Sequence, residues 1–230
     1  MNNNLEGLEK KIGYVFKDKN LLKTALIHRS FGNEHKKYKD ISNERMELLG
    51  DAVLDLVVTE YLYQKLPSSA EGELAKIKAM VVSEPVLVKI SRKLELGEYL
   101  LMSKGEEITG GRGRSSILGD VFESLLGAIY LDSNFESTKE IALKYMTYWI
   151  DNAETVEEIL DYKTILQEYT QKEYKVVPKY TVVDESGPDH KKEFRINVEI
   201  GTDIKGHGVG SNKKLAEQAA AREIIKKMGL

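Results

Sequence analysis

The sequence predicts two domains of different fold class, an all-α N-terminal domain and a small α+β domain with the order α-β-β-β-α. Apolar residues recur at helical spacing through about the first 150 residues, whereas the patterns typical of strands occur only in the last 70 residues or so. A polar, acidic stretch at residues 151–158 separates the two patterns. We therefore expect domains at residues 1–151 and 161–230, joined by a linker at 152–160.

The N-terminal domain is predicted to consist of helices joined by loops. The pattern over residues 43–66 ends before Pro67, and Pro85 suits the first turn of another helix. Four glycines within residues 105–113 predict a loop there. The predicted helices are 20–28, 43–66, 69–82, 85–94, 117–130 and 135–150.

The C-terminal domain is predicted to begin and end with a helix. The first helical pattern covers residues 162–172, and the final helix starts at Ser211 or Asn212, either of which can serve as its N-cap. Turn residues at 187–189 and at Gly201 separate the strand patterns. The predicted strands are 180–183, 193–200 and 202–209.

Composition excludes several classes of site. The chain contains no cysteine, which excludes disulfides, zinc fingers and iron–sulfur centres. Its start has no basic and apolar signal-like region, and no apolar run approaches the roughly 18 residues of a membrane-spanning helix. We therefore expect a soluble, cytoplasmic protein without a membrane partner.

The net charge of −3 argues weakly against a nucleic-acid partner for the chain as a whole, but the charge is unevenly distributed. Residues 160–230 contain 13 basic and 11 acidic residues, whereas the remainder contains 21 basic and 26 acidic residues. The mild basic excess therefore lies in the C-terminal domain, where its distribution matters more than its size.

Acidic residues at helical spacing predict a metal site in the N-terminal domain. Glu44, Glu47 and Asp51 stand at i, i+3 and i+7, so a helix places them on one face. Asp120 and Glu123 stand at i and i+3, and they are the only acids in an otherwise apolar or small run. Crowded carboxylates repel each other, and a hard cation such as Mg²⁺, which prefers oxygen ligands, can offset that repulsion.

Two ordinary explanations stay open at this point. Acids one turn apart are common on solvated helix faces, although ionised carboxylates are seldom buried without a partner. Arg45 could also neutralise Glu44 or Glu47 in a plain salt bridge. Spacing alone does not decide between a metal site and a charged surface.

Three sequence elements in a fixed order resemble the ribonuclease III family. The stretch NERMELLGDAVL at 43–54 is similar to the family signature, and ALIHRS at 25–30 and SILGDVFE at 116–123 are similar to its upstream and downstream elements. The signature is long and specific, and the resemblance spans nearly the whole chain. Agreement with all three elements by chance is therefore improbable.

The resemblance implies the identity of the site residues. Asp51 and Glu123 are implied to be catalytic, with Glu123 the most critical, and Glu44 and Glu71 match accessory acids that line the cleavage valley. Asn43 and Arg45 match positions that support the site. Mg²⁺ is the implied cofactor, with Mn²⁺ able to replace it. The implied metal carboxylates are Glu47, Asp51, Asp120 and Glu123.

The family resemblance also implies a homodimer with one active site for each RNA strand. A phenylalanine commonly stands in the signature where this chain has Leu48, and in the family this side chain inserts into the partner subunit. Leucine is a smaller apolar side chain. We therefore expect dimerisation through Leu48 with altered packing.

Four further residues near these elements have an ordinary and a functional interpretation. Asp55 is expected to be an exposed helix acid. His28 alone could be a general base, but a structural role is favoured because the metal supplies the nucleophile. Arg112 and Arg114 could contact phosphate, or they could belong to a plain surface loop.

The C-terminal domain carries residues at spacings that suit double-stranded RNA. A-form RNA is recognised by shape, through 2′-hydroxyls and phosphates across successive minor grooves. A helix N-terminus with adjacent lysines favours phosphate, although a lone lysine pair is often only a solvated helix start. The candidate RNA-binding residues are Thr164, Gln167, Gln171, His190, Ser211, Asn212, Lys213 and Lys214.

The order α-β-β-β-α and the start of the last helix resemble the double-stranded RNA-binding domain. Asn212 stands where that pattern usually has its first lysine, which implies one weaker phosphate contact. Ala216, Ala219 and Ala220 are expected to let the last helix lie on the sheet, and Gln218 is expected to be structural.

Together, the resemblances imply a Mg²⁺-dependent endoribonuclease that hydrolyses double-stranded RNA. They imply 5′-phosphate and 3′-hydroxyl ends with short 3′ overhangs, and ribosomal RNA precursors and structured messenger RNAs as substrates. A non-cleaving RNA binder is one alternative, but it would require a broken acidic site. A helical phosphohydrolase acting on nucleotides is another, but a small substrate needs no duplex-binding domain.

Overall fold

The computed structural model describes residues 5–153, 162–187, 192–201 and 204–228. The chain divides into two compact units, Met1–Ile159 and Leu160–Leu230. The first is helical, and the second has three antiparallel strands flanked by helices. The predicted fold class is therefore confirmed for both units. In the part of the chain that is described, no helix is long and apolar enough to span a membrane.

The helices of the first unit are α1 (Leu5–Ile12), α2 (Lys19–Ala25), α3 (Phe31–Glu34), α4 (Glu44–Lys65), α5 (Glu71–Val81), α6 (Glu84–Lys93), α7 (Lys104–Ile108), α8 (Ser115–Asp132) and α9 (Phe135–Asp151). Short 3₁₀ turns occur at Lys36–Tyr38, Leu96–Tyr99 and Gly111–Gly113. The second unit consists of α10 (Tyr162–Glu173), β1 (Lys179–Ser186), β2 (Glu193–Ile200), β3 (Ile204–Gly210) and α11 (Lys213–Met228).

The central contact of the first unit is the close crossing of α4 and α8. A Cβ atom at Gly50 would lie 1.8 Å from the carbonyl oxygen of Glu123, and one at Gly127 would lie 2.3 Å from the carbonyl oxygen of Met46. These distances are far below van der Waals contact, so only glycine fits at either position. The two glycines therefore set the distance between the helices that carry the signature and the downstream acidic element.

Two buried hydroxyls join α8 to its other neighbours. Ser91 Oγ on α6 donates to the carbonyl of Leu118 at 2.6 Å, and Ser124 Oγ on α8 donates to the carbonyl of Ala25 at 2.8 Å. Both serines are fully buried. Because a buried polar group must be hydrogen-bonded to avoid a desolvation penalty, these bonds fix α6 and α2 against α8.

The C-terminal end of α8 is tied to the segment that follows α1. Asp132 accepts hydrogen bonds from the Tyr14 hydroxyl at 2.7 Å and from the backbone N–H groups of Lys17 and Asp18, each at 2.8 Å. Burial would raise the pKa of Asp132, but these three donors lower it overall. The sequence analysis did not predict α1.

The loop predicted from the glycines of residues 105–113 was wrong in part. Residues Lys104–Ile108 form α7, and Gly111–Gly113 form a 3₁₀ turn. The helix begins because Ser103 Oγ accepts the backbone N–H of Glu106 at 3.2 Å, which is an N-cap bond. Gly110, with φ of +81°, then separates the helix from the turn.

In the second unit, the strand order is β1-β2-β3 and both pairings are antiparallel. β1 is longer than predicted because it continues past Val183 to Ser186, which pairs with Glu193. A bulge interrupts the β1–β2 register between Val182 and Asp184. The predicted turn residues Pro188 and Asp189 lie outside the described residues.

The last helix lies directly on β3, as its small residues predicted. A Cβ at Gly208 would lie 2.2 Å from the backbone nitrogen of Ala220, and one at Gly210 would lie 2.4 Å from that of Ala216. Both alanines are fully buried. Gln218 accepts the backbone N–H of Lys163 at 3.2 Å, so the side chain expected to be structural joins α10 to α11.

Candidate metal centre

Three carboxylates from two helices meet at the crossing of α4 and α8. Glu47 on α4 and Asp120 and Glu123 on α8 each offer one oxygen, and these oxygens lie within 4.8 Å of one another. All three residues are half-buried. The structure thus brings together acids from two sequence elements that lie more than 70 residues apart.

The pKa values of the three carboxylates are raised first by burial and then by neighbouring negative charges. Burial is the main cause that raises the pKa of Glu123 to about 8, and the negative charges of Asp51 and Glu47 add to it. Burial and then the charge of Asp120 raise the pKa of Glu47. Burial and then the charge of Glu84 raise the pKa of Asp120. The nearby positive charges therefore do not offset the effects of burial and of the neighbouring acids on these carboxylates.

The donor set fits a hard divalent cation. The cluster offers only carboxylate oxygens, which Mg²⁺ prefers, and its exposed side leaves room for the waters that Mg²⁺ retains. A cation would also supply the missing positive charge. Glu47, Asp120 and Glu123 are thus the residues that could hold a metal ion.

Asp51 lies beside this cluster but outside it. Its side chain is exposed, one turn beyond Glu47 on α4. After burial, its negative charge is the largest cause of the raised pKa of Glu123, so Asp51 lies close enough to the cluster to act on it electrostatically. The role of Asp51 as a ligand and catalytic residue stays a prediction.

The accessory acids lie further out. Glu44 is exposed, accepts the Ser42 hydroxyl at 3.0 Å and lies 3.7 Å from the Arg29 guanidinium. Among the described residues, Arg29 rather than Arg45 forms the ion pair with Glu44. Glu71 is exposed in the first turn of α5, where it lines a cavity of about 570 Å³ between α4 and α5.

Two residues that were not predicted also lie near the cluster, Glu84 and Arg29. Glu84 is exposed in the first turn of α6, and the charge of Arg29 partly offsets the raised pKa of Asp120. No local pattern identifies them, because their proximity to the cluster arises from tertiary packing. The only signal was the place of Arg29 in the upstream element.

Asp55 and His28 have structural contacts. Asp55 forms an ion pair with Lys78 at 2.7 Å, and it is partly rather than fully exposed. His28 Nδ1 lies 2.8 Å from Ser30 Oγ, which also accepts the backbone N–H of Ser103 at 3.0 Å. Burial lowers the pKa of His28. These contacts support the structural role that was favoured for the histidine.

The two arginines of the glycine-rich segment are engaged within the unit. Arg112 donates to the carbonyl oxygens of Gly97 and Leu100 at 2.7 and 3.0 Å, and to Glu107 at 2.6 Å. Arg114 forms an ion pair with Glu106. Arg112 therefore fixes its own loop, and its contacts favour the structural interpretation over a phosphate contact.

Leu48 points away from the cluster. Its side chain is 73% exposed, whereas neighbouring Glu47 turns toward α8 and Gly50 is buried against it. Asn43, at the start of α4, is buried and donates its backbone N–H to the carbonyl of Ile27 at 2.8 Å. One helical segment thus presents an acid to the cluster and a large apolar side chain to solvent.

The second unit presents the predicted RNA-binding residues on its surface. Thr164, Gln167 and Gln171 lie on the exposed face of α10, opposite the buried Leu166. His190 lies outside the described residues. The first turn of α11 and the two residues before it are exposed as well: Ser211, Asn212, Lys213 and Lys214.

Asn212 is the N-cap of α11. Its Oδ1 accepts the backbone N–H of Leu215 at 2.9 Å, which resolves the choice between Ser211 and Asn212. This bond uses Oδ1, so the Nδ2 group keeps its N–H donors but lacks the positive charge that a lysine would bring to a phosphate contact. Lys213 and Lys214 therefore supply the positive charge at this helix start.

Comparison with known proteins gives matches to both units. Residues 18–149 match the family model described as Ribonuclease-III-like, and residues 162–228 match the model of the double-stranded RNA binding motif. The Ribonuclease 3 of Fusobacterium nucleatum is 54% identical over 227 residues, covering 99% of this chain and 97% of that protein. That of Leptospira interrogans serogroup Icterohaemorrhagiae is 46% identical, covering 97% and 90%.

Solved structures match the first unit. The crystal structure of the nuclease domain of ribonuclease III from Campylobacter jejuni has 49% identity and a TM-score of 0.59, and covers 64% of this chain and 96% of that one. A second structure of that domain, with the same identity and TM-score, is described for structural flexibility in a region involved in dimer formation.

Proposed function

The chain belongs to the ribonuclease III family, and from this premise we propose that it is a Mg²⁺-dependent endoribonuclease specific for double-stranded RNA. The family and its two domains support cleavage of duplex RNA. The observation that supports the metal is the cluster of Glu47, Asp120 and Glu123, whose oxygens lie within 4.8 Å of one another. Mn²⁺ has the same preference for oxygen ligands and is proposed as a substitute.

The proposed chemistry assigns separate tasks to the residues of the cluster. When bound, a divalent ion supplies a Lewis acid and an activated water for attack on the phosphodiester. Glu47, Asp120 and Glu123 would hold the ion, and Asp51 would complete the set from the adjacent turn of α4. Glu123 must release its proton to bind a cation at neutral pH, because its pKa is about 8. We propose Asp51 and Glu123 as the catalytic residues, with Glu44 and Glu71 as accessory acids.

The second unit is proposed to hold the duplex. Lys213 and Lys214 lie in the first turn of α11, where the helix dipole also favours a phosphate. Thr164, Gln167 and Gln171 are exposed along α10 and would contact a minor groove. Residues 161–230 are proposed as this RNA-binding domain, with 1–151 as the nuclease domain and 152–160 as the linker.

The active form is proposed to be a homodimer. Leu48 is 73% exposed on the helix that carries Glu47, and the family signature has at this position a side chain that inserts into the partner subunit, so we propose that Leu48 lies at the interface. Two copies would supply two metal centres, one for each RNA strand. Attack of water on phosphorus with cleavage of the bond to the 3′-oxygen, which takes up a proton, would leave 5′-phosphate and 3′-hydroxyl ends. The paired cuts would leave short 3′ overhangs.

The proposed substrates are ribosomal RNA precursors and structured messenger RNAs, and the proposed location is the cytoplasm. The support is the full-length similarity to bacterial proteins named Ribonuclease 3, together with the two-domain architecture. Both substrate classes contain the long duplexes that an RNA-binding domain of this type recognises by shape.

Cleavage of a labelled RNA duplex by the purified chain tests the proposal. We expect cuts in both strands with Mg²⁺ or Mn²⁺, no cuts with EDTA, and no cuts in a DNA duplex of the same sequence. Ligation and phosphatase treatment of the products would identify the ends. Binding of duplex RNA without cleavage in Mg²⁺ would contradict the nuclease function and support the non-cleaving alternative.

A further inference from the structure

An exposed acid on a third helix lies beside the carboxylate cluster. Glu84 stands in the first turn of α6, whereas the cluster is built from α4 and α8. Its Cγ atom lies 3.5 Å from the point where a Cβ at Gly119 would stand, so its side chain lies over α8 next to Asp120. The absence of a side chain at position 119 leaves this space for Glu84.

The position of Glu84 is fixed by the packing of its helix. Ser91 on α6 donates to the carbonyl of Leu118 at 2.6 Å, directly before Gly119 and Asp120 in α8. Pro85 follows Glu84 and restricts the backbone at the helix start. The start of α6, which carries Glu84, is therefore held against α8, whereas Glu47 and Asp51 are carried by α4.

Glu84 also adds a negative charge at this edge of the cluster, because its side chain lies against α8 at Gly119, the residue before Asp120. A negative charge that disfavours a neighbouring carboxylate makes the same place more attractive to a cation.

We propose that Glu84 is a positioning residue of the metal centre, which accepts hydrogen bonds from waters of the bound divalent ion on the side of Asp120. The inference rests on the proposed function. Glu84 lies outside the three-carboxylate cluster and is not one of the four proposed ligands, so its proposed role is through the waters of the ion. Mg²⁺ keeps several waters, and acids outside the ligand set orient such waters and raise metal affinity.

Metal binding by the full-length Glu84→Gln variant tests this inference apart from catalysis. Free Mn²⁺ measured by electron paramagnetic resonance gives the affinity, and Glu98→Gln is the matched control because Glu98 is another exposed acid of the same unit. We expect Glu84→Gln to weaken Mn²⁺ binding about tenfold, which is the lower end of the loss of metal affinity seen when a residue just outside the ligand set is replaced. The control should bind as the parent chain does.

A second readout separates positioning from a structural role. In cleavage of duplex RNA, the Mg²⁺ concentration at half-maximal rate should rise by the same factor in Glu84→Gln, and excess Mg²⁺ should restore most of the lost rate. Parent-like Mn²⁺ affinity in Glu84→Gln would overturn the inference, and so would a rate loss that excess Mg²⁺ does not reduce. A parent chain that binds no Mn²⁺ and cuts no RNA would instead overturn the proposed function, and this inference with it.

Discussion

Substitution of Gly50 by alanine tests whether the close crossing of α4 and α8 holds the metal centre together. The added Cβ would lie 1.8 Å from the carbonyl oxygen of Glu123, where ordinary contact begins near 3.4 Å. The helices would have to separate by roughly 1.5 Å, and backbone atoms cannot rotate away as a flexible side chain can. Glu47 would then move away from Asp120 and Glu123.

The magnitude follows from two opposing effects. Alanine is favoured over glycine inside a helix by about 1 kcal/mol, whereas overpacking a close contact costs about 1–3 kcal/mol or more. Because the contact is with backbone, we expect Gly50→Ala to lower the free energy of unfolding by about 2 kcal/mol in urea denaturation. Binding of Mn²⁺ should weaken together with stability.

Gly72→Ala is the matched control for this prediction. Gly72 lies in a helix of the same unit, and a Cβ there would meet nothing within 4 Å. The same substitution should therefore leave stability unchanged or raise it by up to about 1 kcal/mol. The reasoning would be refuted if Gly50→Ala were as stable as Gly72→Ala and bound Mn²⁺ as the parent chain does.

Four further predictions concern the charges and surfaces of the two units. Because the pKa of Glu123 is raised to about 8, Mg²⁺ binding should strengthen as pH rises toward 8 and should release a proton, which calorimetry in two buffers would detect; no proton release would contradict this. Asp132→Asn should destabilise the chain by about 1 kcal/mol at neutral pH. Because the pKa of Asp132 is lowered in the folded chain, that difference should begin to shrink near about pH 4 and should disappear only below the lowered pKa; a difference that stays constant through this range would argue against the assignment. Replacing Lys213 and Lys214 by alanine should weaken duplex binding. It should also reduce the slope of log affinity against log salt concentration by about 2, whereas an unchanged slope would exclude phosphate contacts by these lysines. Leu48→Asp should convert a dimer to a monomer in sedimentation equilibrium, and an unchanged mass would place the interface elsewhere.

Local patterns were sufficient to predict most helices and the pairing of acids within each helix. The i and i+3 spacings of the two acidic elements depend only on helix geometry, so Asp120 and Glu123 could be placed on one face. The small residues of the last helix likewise predicted its contact with the sheet. The strand β1 was predicted too short, because its last residues are held by pairing with β2 rather than by their own apolar pattern.

Features that depend on tertiary contacts could not be predicted in this way. Glycine content suggested a loop at 105–113, but the side chain of Ser103 caps a helix there. Glu84 lies beside Asp120 only because α6 packs on α8, and no spacing in the sequence indicates that contact. The distance between Glu47 and the acids of α8 depends on two glycines, Gly50 and Gly127, whose role is visible only at the crossing.

Single-turnover cleavage of a bound RNA duplex by the Glu123→Gln variant tests the central claim most directly. The claim is that carboxylates from α4 and α8 form one metal centre that cuts double-stranded RNA. We expect the variant to bind duplex RNA as tightly as the parent chain and to cut it at least about 100-fold more slowly in Mg²⁺. Cleavage at the parent rate would contradict the claim, and loss of RNA binding together with cleavage would show that Glu123 has a different role.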